Sequence, residues 1–139
     1  MSILKTLASI FLEPEPKPEP ELTFESPVAE FSKARLSKHW IAEVKYRGKP
    51  LSISATDYVG APHDRFLQRL PGILEQLEAM ETSAREQVRE LSPQHELIGI
   101  ADSNDEERYD LSLWFGLGDE DEEIRYVEFD GFSVVNSWV

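Results

Sequence analysis

The chain has no cysteine among its 139 residues. That absence removes disulfides, thiolate zinc sites and a cysteine nucleophile together, and it fits a reducing compartment, so the cytoplasm is the expected location. Basic residues are few: 14 Lys and Arg stand against 27 Asp and Glu, a formal net charge of −13. Such a field repels nucleic acid and anionic lipid from the acidic part of the chain and favours a basic protein partner or a cation. Long apolar runs are missing as well. Met1–Leu12 (MSILKTLASIFL) is apolar with one Lys, and at about 1.5 Å per residue it is too short for a hydrocarbon core of about 30 Å. With a minimal basic n-region and no A-x-A-like site after Leu12, it does not read as a secretory signal either.

Catalytic signatures are equally scarce. There is no G-x-S-x-G, and His39, His63 and His95 never fall at i, i+3 or i, i+4, so no helical metal motif exists. Gly116-Leu117-Gly118 is too short to cradle a phosphate and sits at a strand end. The runs Asp102–Glu107 and Asp119–Glu123 supply carboxylates for a cation. They lack the glycine at loop position six, and position twelve from Asp102 is Leu113, so no dedicated calcium loop is expected. No cofactor or metal is assigned. The best acid–base candidate is His63 beside Asp64, because a carboxylate and a helix N-terminus both tune an imidazole; ordinary helix entry with Asp64 as cap competes with that role.

The charge that is present is unevenly placed. Residues 96–130 hold thirteen acidic and two basic side chains, whereas residues 22–95 hold ten of each. The first hairpin region leans basic, with Lys33, Arg35, Lys38, Lys45, Arg47 and Lys49 against Glu43.

Three parts follow from composition. Residues 1–12 place Ile3, Leu4, Leu7, Ile10 and Phe11 on one face if helical, suiting weak membrane contact or docking. Residues 13–21 (EPEPKPEPE) form an extended spacer of about 3.1 Å per residue. Residues 22–139 read as one α+β domain. Leu22–Ser32 is a strand demoted to an edge or bulge by Pro27. His39–Tyr46 and Leu51–Thr56 alternate across the turn residues Arg47-Gly48-Lys49-Pro50 and make a hairpin. Leu70, Leu74, Leu77, Met80, Ala84, Val88 and Leu91 draw one stripe, predicting a long helix over Pro71–Leu91 whose other face (Glu75, Glu78, Arg85, Gln87, Arg89) is solvated. His95–Ile100 is a short strand. Leu111–Leu117, Ile124–Phe129 and Phe132–Val139 form a meander around a carboxylate-rich loop, Gly118–Glu123. The expected fold is an antiparallel sheet of five or six strands with the helix on one face.

The order F-E-S-P-V, H-W-I-A-E-V with R-G-K, L-S-I-S, long helix, then L-W-F-G and V-E-F-D-G to a C-terminal Trp resembles uncharacterised bacterial domains of unknown function, some of them suspected immunity or toxin-neighbour proteins. The resemblance covers roughly residues 22–139 and carries over no catalytic residue. Ala29 stands where a turn glycine follows Pro-Val in that pattern.

Three functional readings result. The first is a non-enzymatic interaction module, immunity-like or adaptor, in which Trp114 and the acidic Asp119, Glu120, Asp121, Glu122 and Glu123 meet a basic protein. Trp114 is out of phase with Leu113 and Phe115, hence either a second buried face or an exposed anchor. The second is an enzyme or small-ligand binder with a helix–sheet pocket near His63, Asp64 and Asp57. The third is a membrane-peripheral accessory protein docking through residues 1–12.

Overall fold

Period-two alternation forms strands here, and more of them than the sequence suggests. A computed structural model describes residues 21–102, 111–117 and 120–138; residues 1–12 and nearly all of the Pro/Glu spacer lie outside them. In chain order the elements are β1 (Leu22–Glu25), β2 (Glu30–Lys33), β3 (His39–Tyr46), β4 (Lys49–Tyr58), β5 (Ala61–Pro62), α1 (Asp64–Glu75), α2 (Leu77–Gln87), β6 (Glu96–Asp102), β7 (Leu111–Leu117), β8 (Glu120–Asp130) and β9 (Ser133–Trp138). The fold is α+β, with a mostly antiparallel sheet in the order β1-β2-β3-β4-β6-β7-β8-β9 and β5 paired to β4. Among the described residues nine strands replace the expected five or six.

One of the extra strands comes from Leu22–Ser32, which is a hairpin rather than a single bulged strand. Ser26 Oγ accepts the amides of Val28 and Ala29, at 3.3 and 3.1 Å, and donates to the Ala29 carbonyl at 2.8 Å. A serine side chain therefore closes the turn around Pro27, and Phe24 pairs with Phe31 across it. The β3–β4 hairpin forms as expected. Arg47 and Gly48 both take positive φ, 53° and 79°, the twist that a two-residue hairpin turn requires.

The predicted long helix over Pro71–Leu91 is two helices, and the first runs on from Arg65–Leu70, a stretch whose sequence allows one or two helical turns. Gln76 interrupts it with φ −96° and ψ 4°, one turn after Pro71-Gly72, the two weakest helix formers side by side. Backbone bonds from Gln76 N–H to Gly72 and from Met80 N–H to Gln76 carry the chain across the break, so the apolar stripe survives it. Val88 is already extended, yet Val88 and Leu91 stay buried under the sheet. Because the helices carry the chain from one end of the sheet to the other, β4 and β6 pair in parallel, with Ile53 beside Ile100.

The core lies between the helices and one sheet face. Phe31, Trp40, Leu51, Ile53, Leu113, Phe115, Val127 and Phe129 pack with Phe66, Leu70, Ile73, Leu77, Met80 and Ala84. Helix α1 lies against β5, and α2 reaches β9. No helix among the described residues is long and apolar enough to cross a membrane.

The strand directions define two ends. At one, termed the loop end, are the start of β1, the 34–38 loop, the β4–β5 turn, the start of α1, the end of β6 and the Asp130-Gly131 turn. At the other are the 26–29 and 47–48 turns, the start of β6 and the β7–β8 connection.

Candidate functional site

The outer sheet face carries Trp114, the tryptophan singled out in the sequence. A bulge in β6 shifts the register between Leu97 and Gly99, so that Gly99 lies opposite Trp114 on the face away from the helices. Gly99 is the seat of the indole: a Cβ there would sit 3.8 Å from Trp114 Cβ and 3.9 Å from its Cε3. Trp114 Nε1 donates to Ser112 Oγ at 2.9 Å, and the ring meets Tyr126 edge-to-face at 5.2 Å. Trp114 is thus half-buried and held in one orientation, with Ser52, Gly99, Trp114, Tyr126 and Trp138 in one row across the sheet. It joins neither the core nor the solvent fully, which the out-of-phase position left open.

The acidic residues expected in a loop sit mostly in a strand. Leu117 pairs with Glu120, so the backbone of Glu120, Asp121, Glu122 and Glu123 belongs to β8. Strand pairing simply continues almost to the end of the hairpin. Asp119 lies outside the described residues, as do Ile3, Leu4, Leu7, Ile10 and Phe11.

At the loop end, His63 rather than Asp64 caps α1. Its Nδ1 accepts the Arg65 amide at 3.2 Å, and its ring leans on Tyr58 at 5.1 Å. Asp64 is spent on Gln68, whose Nε2 donates to it at 2.9 Å. Asp57 accepts Trp40 Nε1 at 2.8 Å. The carboxylate that does sense His63 is Asp102, at the end of β6. It accepts the Thr56 amide and hydroxyl at 2.9–3.0 Å. Burial raises its pKa above the ordinary 3.8, while the Thr56 bonds and nearby His63 and His39 pull it back. The folded chain therefore keeps a proton that the unfolded chain has already lost just above pH 3.8. Asp102 contributes stability that is present below that pH and lost as pH rises through its folded pKa. Urea denaturation across this window is expected to show a flatter pH dependence for Asp102→Asn than for the wild type; parallel curves would contradict the assignment.

A helix–sheet cavity of about 190 Å³ lies at the opposite end, not beside His63, and is lined by Tyr46, Arg47, Lys49, Glu81, Arg85 and His95 among others. Glu81 is only 8% exposed. Tyr46 Oη donates to its Oε1 at 2.8 Å and Arg85 Nε to its Oε2 at 2.9 Å. Burial first, then the Glu81 carboxylate, pushes the Tyr46 phenol up to about 12. Arg85 also donates to the carbonyls of Ser92, at 3.1 Å, and His95, at 2.6 Å. This arginine, expected on a solvated helix face, instead ties the loop after α2 to the helix. His95 Nδ1 accepts the Ser92 amide at 3.0 Å, which places the ring proton on Nε2, a buried atom without a hydrogen-bond partner among the described residues. Lys49 pairs with Glu96, and Arg47 with Glu78 at 2.9 Å. The network is largely self-satisfied, a clamp before it is a receptor.

Among the described residues no group of three or more His, Asp or Glu side chains is placed to hold a metal ion. No family model, curated protein or solved structure matches the chain.

Proposed function

We propose that the chain is a non-enzymatic interaction module, adaptor-like or immunity-like, that takes a basic segment of a protein partner on the outer face of β7 and β8. The observation behind this reading is the immobilised Trp114–Tyr126 pair on two strands whose connecting end carries five consecutive carboxylates, Asp119 to Glu123. Aromatic faces attract Lys and Arg through their ring quadrupoles, and a desolvated contact of this kind is worth about 2 kcal/mol. The carboxylates supply attraction at longer range, which steers a cationic partner towards the aromatic pair. A rigid indole loses little conformational entropy on binding, which suits an anchor.

Titration with an Arg/Lys-rich peptide, followed by calorimetry, tests the reading. Reversing Glu120, Asp121, Glu122 and Glu123 to Lys is expected to weaken binding at least tenfold, roughly the effect of 1.4 kcal/mol. Trp114→Ala is expected to weaken it about fivefold while leaving a steep salt dependence. Wild-type affinity in both variants sinks the proposal.

A further inference from the structure

Among the described residues, the large apolar side chains that remain exposed are not scattered. Leu36, Val59 and Phe132 occupy connections at the loop end, Tyr58 ends β4 there, and Leu22 begins β1 there. The remaining two, Ile41 and Val135, are the third residues of strands that start at that end. At the opposite end the turns and strand starts present Arg47, Lys49 and Glu96 instead.

The most exposed tips are held out by the fold. Val59 is 88% exposed and has φ 54° in the two-residue turn with Gly60. A β-branched residue is poorly suited to that conformation, where Asn is favoured, so the turn keeps an apolar group against its own backbone preference. Leu36 is 76% exposed, at the top of a loop fixed from beneath: the buried Lys33 Nζ donates to the carbonyls of Ala34, Arg35 and Ser37 at 2.9–3.2 Å. The Asp57 amide bonds the Lys38 carbonyl at 2.8 Å and joins the two tips' loops.

We infer that the loop end seats on a zwitterionic phospholipid bilayer, with Leu36, Tyr58, Val59 and Phe132 entering the interface and Arg35 and Lys38 meeting headgroup phosphates. Separate tips spread over eight paired strands, each about 4.8 Å from the next, suit a fluid surface that closes around each of them; a rigid protein would need a matching pocket for every one. The net charge of −13 selects against a strongly anionic surface.

Co-sedimentation of the full chain with phosphatidylcholine/phosphatidylethanolamine vesicles tests the inference. Wild-type protein is expected to bind. The double variant Leu36→Asn, Val59→Asn is expected to bind about tenfold less, with a melting temperature equal to or above that of the wild type because Asn relieves the turn. Equal binding by the two proteins overturns the inference and assigns any binding to residues 1–12. Absence of wild-type binding overturns it, as does binding that appears only with anionic lipid. Self-association that the double variant abolishes would assign the tips to a second copy and equally refute it.

Discussion

Leu77→Asp is expected to unfold the domain. Leu77 is 1% exposed and opens α2 just after the Gln76 break, inside the cluster that joins both helices to the sheet. Removing a buried leucine side chain costs about 2–5 kcal/mol before any polar group is added. The new carboxyl must either remain ionised without a partner or take up a proton against its normal pKa, which adds further cost of several kcal/mol. Together these rival the roughly 5–15 kcal/mol that holds a domain of this size. Circular dichroism is expected to show no cooperative thermal transition. Leu77→Met, similar in volume, is expected to cost less than about 1.5 kcal/mol. A cooperative melt for the Asp variant close to that of wild type would mean that the helices do not close the core as described.

Arg85→Ala is expected to be the most damaging change outside the apolar core. It removes the partner of Glu81 Oε2, both side-chain anchors of the 92–95 loop, and a guanidinium 5.4 Å from the centre of the Phe115 ring. The Arg85 side chain is 30% exposed and Arg47 Nη1 still lies 4.0 Å from Glu81 Oε1, so losing one side of this half-buried pair is expected to cost about 3 kcal/mol, the low end for a broken pair. Adding Glu81→Gln is expected to return part of that loss, so the double variant should be more stable than the sum of the single effects. Tyr46→Phe, which deletes one neutral donor to the carboxylate, is expected to cost only about 1–2 kcal/mol. Urea denaturation of the four proteins checks the cycle; strict additivity would show that Glu81 and Arg85 do not act as a pair.

These expectations depend on features of unequal legibility. His39–Tyr46 and Leu111–Leu117 have the bounds read from alternation, because each strand has a clear apolar phase facing one core. The helix was harder. A three-and-four stripe records which side is buried, but a single non-helical residue such as Gln76 leaves the stripe in phase, so the pattern does not see the break. Ser26 misled differently: its side chain makes a turn that strand propensity reads straight through. At the candidate sites, the acidic run and Trp114 were visible as residue types, whereas Gly99 as the seat of the indole depends on a bulge. Sequence adjacency points to Asp64 as the carboxylate near His63, but parallel pairing of β4 and β6 delivers Asp102 instead. Glu81 and Arg85 stand at i, i+4, a spacing common on solvated helices. Tyr46 and the returning 92–95 loop set this pair apart from a solvated one.

The parallel contact between β4 and β6 has a kinetic consequence. Every other neighbouring pair in the main sheet is antiparallel and joined by a short connection, so the chain first offers two ribbons, β1–β4 and β6–β9, that close locally. The seam between them joins Ser52 to Gly99, 47 positions apart (99 − 52), and demands the largest loss of chain entropy in the sheet. Docking of the ribbons across that seam, with the helices caught between, is therefore expected to be the slowest step of folding. Until it happens, β4 and β6 are two bare edges, open to pairing with another chain.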